Sequence, residues 1–212
     1  MALQQVEAVE PAAAEPEVAE PAVQTGTGVD NRKLLMWLFL GSECLFFGGL
    51  IGTYLLYRNR SVEGAGPIPR EVFDIPFTSV SSFILLMSSV TMVLAFAAIQ
   101  RGDQRGLRIW LLATALLGMT FLAGQAFEFE DFYNEGLTLN SSLFGTTFFV
   151  LTGFHGAHVT VGVLILLSLF VMAWRGKLTK EKSLNVELAG LYWHFVDVVW
   201  IVIFTLVYLL QT

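Results

Sequence analysis

Residues 192–210 read YWHFVDVVWIVIFTLVYLL. Aliphatic and aromatic residues fill almost the whole stretch. Of the set Asp, Glu, Lys, Arg and His it holds only His194 and Asp197. At about 1.5 Å of rise per residue, such a run is close to the ~20 residues a helix needs to cross a hydrocarbon core. Four more runs of the same kind precede it, over 34–57, 77–99, 107–127 and 143–174, and the last one opens near 188. A soluble domain cannot hide five such runs and still present a polar surface. The expected fold is all-α, a polytopic membrane protein built as a five-helix transmembrane bundle over residues 32–212. The composition agrees: of 212 residues, 55% are hydrophobic and 14% charged, where about a quarter is usual for charged residues. The fourth run is 32 residues long, so it tilts or lays its first turns along the interface.

The connections carry the charge. Arg32 and Lys33 precede the first run, Arg101, Arg105 and Arg108 lie between the second and third, and Arg175, Lys177, Lys180 and Lys182 between the fourth and fifth. The opposite side has only Arg58, Arg60 and Arg70, while Glu128, Glu130, Asp131 and Glu135 crowd the end of the third run. The positive-inside rule puts the basic side, and the N-terminus, in the cytoplasm and the C-terminus outside. Residues 1–31 form an acidic tail rich in Pro and Ala, with six acids and no Lys or Arg among the first thirty. They cannot bury enough apolar area to order themselves, and they lack the basic start and apolar stretch of a signal peptide. The formal charge of −6 belongs to this tail. No basic surface for nucleic acid exists. Cys44 stands alone, which rules out an intrachain disulfide, and it is expected to pack as a small core residue.

Ionisable residues within spans are costly, which makes each one a functional candidate. Here they are Glu43, His155, His158, His194 and Asp197, with Glu128 near a boundary and the amide Gln125 beside it. Glu43 lies roughly 14 Å into its run. It is read as a proton-relay carboxylate, a lipid-headgroup partner, or a protonated acid giving one interhelical hydrogen bond. Gly48 and Gly52 on the same run favour a close neighbour helix. His155 and His158 share a face at i, i+3. They fit a metal site only if further ligands join them, and otherwise fit interhelical hydrogen bonding, with Gly153, Gly156 and Gly162 admitting another backbone. His194 and Asp197 repeat the spacing, at a depth like that of Glu43, so a Glu43–His194–Asp197 network is sterically plausible. The helix-four histidines belong nearer the outer half, beside Gln125 and Glu128. Trp193 and Trp200 are read as packing residues. The serines of the second run (79, 81, 82, 88 and 89) are read as marks of close helix contact.

Four segments carry a resemblance. FFVLTGFHGAHVTVGVL (148–164) and YWHFVDVVWIVIFTLVYLL (192–210) resemble the two signature helices of subunit III of haem-copper oxidases. SECLFFGGLIGTYLLYR (42–58) resembles that family's helix with a membrane-buried Glu, and GQAFEFE (124–130) its Gln-aromatic-Glu-aromatic segment. The resemblance implies a non-redox subunit packed on subunit I, beside subunit II, in a bacterial plasma-membrane complex. That complex reduces dioxygen to water with electrons from cytochrome c or quinol, and pumps protons. It implies no catalytic residue, metal or cofactor in this chain, with haem and copper in the partner subunits and phospholipid in a cleft. It implies that Glu43, His155, His158, His194 and Asp197 are the family's polar intramembrane positions. Longer members have two helices before the Glu helix, and short five-helix members lack them, so a partner would complete the cleft. Two alternatives stand beside this one. Accessory subunits of nitric oxide reductases share these helices, and a stand-alone proton-coupled transporter would use Glu43 and Asp197. The absence of internal repeats and of Pro within the spans weakens the transporter.

Overall fold

The computed structural model describes residues 28, 30–58, 74–138 and 142–210. Most of the acidic tail and the segment with Arg60 and Arg70 lie outside the described residues. Among the described residues, five helices are long and apolar enough to cross a membrane. They are α1 (Asn31–Tyr57), α2 (Ile75–Arg101), α3 (Gln104–Asn134), α4 (Leu143–Trp174) and α5 (Ser183–Phe204). A single 3-10 turn, Lys180–Lys182, leads into α5, and a π turn, Thr205–Leu209, continues it.

The helices begin at polar caps outside the apolar runs. The Asp30 carboxylate accepts from the Arg32 amide at 2.8 Å and that of Asp74 from the Phe77 amide at 3.1 Å. Asp103 takes the amides of Arg105 and Gly106, and Ser142 that of Gly145 at 2.9 Å. Each cap satisfies donors that the first turn leaves free. α2 stops at Gly102, whose φ of 76° is left-handed. A side chain is strained there, and Asp103 then starts α3 at once. α3 also outruns its apolar stretch, reaching Asn134 rather than residue 127. The reason is periodicity: Phe121, Gln125, Glu128 and Phe132 are all buried, one face of a helix that turns its remaining acids outward.

The short link makes α2 and α3 an antiparallel hairpin, the most extensive helix pair of the molecule. α4 packs on α3, α5 fills the space against α2 and α4, and α1 lies outside on α4 and α5. The core centres on Trp193, Trp200, Phe121 and Phe148, each no more than 1% exposed. Trp193 lies between two glycines. A Cβ at Gly118 would come within 2.6 Å of its ring, and one at Gly162 within 2.7 Å. The glycines of α4 thus admit side chains rather than a backbone: Gly156 faces the Gln125 amide, and Gly153 meets nothing within 4 Å.

Two expectations for α1 are corrected. Its inward stripe is Leu40, Phe47 and Tyr54, a seven-residue repeat, and everything else follows from that choice. Gly48 and Gly52 face away and meet nothing within 4 Å among the described residues. Cys44 is exposed rather than in the core.

Candidate functional site

The intramembrane polar residues fall into separate clusters, each set by the face its helix presents. α1 turns Glu43 toward α4. Its carboxylate lies 3.3 Å from Nε2 of His158. The other ring nitrogen of His158, Nδ1, is 2.7 Å from the Phe154 carbonyl. A carbonyl only accepts, so Nδ1 carries a proton. Nε2 is then the ring nitrogen that faces the Glu43 carboxyl. The Tyr192 hydroxyl donates to the His158 carbonyl at 3.0 Å, tying α5 to the same turn.

This pair lines an open groove of about 640 Å³ between α1, α4 and α5. Phe39, Phe154, Val161 and Ile165 make most of its wall apolar. At the N-terminal end of α1, Lys33 is ion-paired and hydrogen-bonded to Glu187 of α5.

A second cluster lies between α2 and α5. Ser89 donates to the Asp197 carboxylate, and its oxygen is 2.8 Å from Nδ1 of His194. The Ser89 hydroxyl thus bridges the His194 ring and the Asp197 carboxyl. Two indoles flank this bridge: Trp193 donates to Ser88 and Trp200 to Ser82, each at 2.9 Å. Ser82 and Ser88 of α2 are therefore specific acceptors for the indoles of α5.

Gln125 donates to the Thr152 carbonyl at 2.8 Å. It docks on the α4 turn that carries His155 without bonding to the ring. Glu128 instead accepts from Thr78 of α2. His155 is fully buried, stacked on Trp200 at 4.8 Å between centroids and edge-on to Phe121 at 5.9 Å. Neither of its ring nitrogens has a partner among the described residues.

The Glu43–His194–Asp197 network is thus not formed as expected. Depth allows it, but direction does not. α5 presents Tyr192 and Phe195 to the phenylalanines of α1, and His194 on another side. His155 and His158 also part company, since a three-residue step leaves about 60° between them on a 3.6-residue helix. That is enough to aim one ring into the bundle and the other at α1. Among the described residues, no three His, Cys, Asp or Glu side chains form a group that could hold a metal.

The family model for cytochrome c oxidase subunit III matches residues 19–212. The chain belongs to the cytochrome c oxidase subunit III family. It is similar to quinol oxidase subunit 3 of Bacillus spizizenii, 39% identical over 187 residues, which are 88% of this chain and 90% of that one. It is similar to cytochrome c oxidase subunit 3 of Bacillus sp. (strain PS3), 37% identical over 85% of this chain and 86% of the relative. With cytochrome c oxidase subunit 3 of Synechocystis sp. it shares 47% identity over 85% of this chain and 76% of the relative. As a subunit III of the haem-copper oxidases it is a multi-pass bacterial membrane protein of a respiratory complex. Sequence reading missed three residues around its polar clusters, Thr78, Thr152 and Tyr192, and took Ser89 for a packing residue only. Their only signal was a hydroxyl within an apolar run.

Proposed function

We propose that this chain is the non-redox third subunit of a terminal oxidase that reduces dioxygen to water and pumps protons. It stabilises subunit I and sustains the supply of lipid, oxygen and protons to it. Haem and copper then belong to subunits I and II. The names of its relatives include both quinol and cytochrome c oxidases, so either donor is compatible. The observation that carries this reading is the groove with Glu43 and His158 on its wall. Its apolar lining suits acyl chains, and on its wall the pair sets a carboxyl against an imidazole. With the N-terminus in the cytoplasm, the groove lies toward the side from which protons are drawn.

The test is purification of the tagged chain in mild detergent. A haem-bearing subunit I is expected with it in about equal amount, and a haem-free isolate that moves solute across liposomes would sink the reading. In the intact complex, Glu43→Gln should leave the haem content unchanged and slow proton uptake. An unchanged uptake rate and stoichiometry would remove Glu43 from the proton supply.

A further inference from the structure

His194 stands near the middle of the span Lys180–Leu209, and Ser89 near the middle of α2. Both are only partly buried, so they meet the surroundings at the driest depth of the bilayer. The outward stripe of α5 around them is aliphatic, with Val198 and Ile201 exposed. On the α2 side Leu86, Val90 and Val93 are exposed as well. The result is one polar spot ringed by apolar side chains.

The bonds of that spot leave one ring nitrogen over. Nδ1 of His194 and the Asp197 carboxyl both bond to the Ser89 hydroxyl. Nε2 of His194 has no hydrogen-bond partner among the described residues. Hydrocarbon offers no partner at this depth, and ionisable residues in spans face protein or water rather than lipid. The other outward faces differ. On α1, Ser42 and Thr53 donate to carbonyls of their own helix, and Glu43 has His158. On α4, Ser168 does the same.

We propose that the α2–α5 face centred on His194 is where the catalytic subunit of the oxidase docks, through a transmembrane helix that places a hydrogen-bonding group against Nε2. The inference rests on the reading of the chain as an oxidase subunit III.

It is tested in the assembled complex in native membranes. A photo-crosslinking residue is placed at Val90 or Val198 on this face, and at Leu45 of α1 or Val161 of α4 as controls. Adducts with a membrane-spanning segment of the haem-bearing subunit are expected from positions 90 and 198. In parallel, His194→Leu should lower the haem retained per chain in detergent by roughly three- to twentyfold, the range of one interhelical hydrogen bond. His194→Gln keeps both a donor and an acceptor and should restore it. Full retention in His194→Leu overturns the proposal. So do adducts with lipid alone, or adducts with the haem-bearing subunit from the control positions alone, while haem still co-purifies. A chain that brings down no haem protein overturns the functional reading and this inference with it.

Discussion

The indole of Trp193 occupies space that two neighbouring helices vacate at Gly118 and Gly162. An added methyl at either site forces a rigid ring to move within a packed core. Gly118→Ala and Gly162→Ala should each cost about 1–3 kcal/mol, the usual range for overpacking. Gly153 meets nothing, and there Ala should stabilise by about 0.5–1 kcal/mol through backbone entropy. Unfolding in mixed micelles, followed by denaturant titration, separates the three. If Gly153→Ala proved as costly as Gly162→Ala, the packing account would be wrong. The residues of the polar clusters were legible in the sequence because an ionisable group in an apolar run is conspicuous. Their pairing was legible only where one helix supplies both members, as with His194 and Asp197. Glu43 and His158 lie on different helices, and spacing along a chain gives depth without giving the direction a side chain faces.

At the scale of elements, the seam between α2 and α5 is held by hydroxyls. Ser82 and Ser88 accept from Trp200 and Trp193 in positions closed to water. Removing either hydroxyl leaves a buried indole N–H without a partner, so Ser82→Ala and Ser88→Ala should each cost about 1–3 kcal/mol. The two sites are about 9 Å apart along α2, so the double variant should lose the sum to within ~0.5 kcal/mol. Detergent unfolding of the three variants checks this, and strong non-additivity would mean that the seam opens as one unit. The helices themselves were readable from hydropathy, but their ends were not. The caps at Asp74 and Asp103, and the extension of α3 through Glu128 and Phe132, depend on hydrogen bonds and one-sided burial that mean apolarity does not register.

Over the whole molecule, α1 is a satellite of a four-helix body. It touches α4 and α5 through Leu40, Phe47 and Tyr54, with Lys33–Glu187 near one end and the Arg58 side chain donating to the Leu210 carbonyl near the other. Such a peripheral unit opens before the rest. Phe47→Ala should lower the yield of a carbodiimide cross-link between Lys33 and Glu187 severalfold, with the thermal midpoint of the body nearly unchanged. A midpoint that fell as far as in Gly162→Ala would make α1 part of the core. The serines of α2 also bear on how the chain is made. Ser82 donates to the Thr78 carbonyl and Ser88 to that of Leu85, both within their own helix. A ribosome completes α2 long before α5. Because those two hydroxyls are already satisfied by the backbone beneath them, they can wait in lipid without an unmet donor. Their spare lone pairs then receive the two indoles of the last helix to arrive.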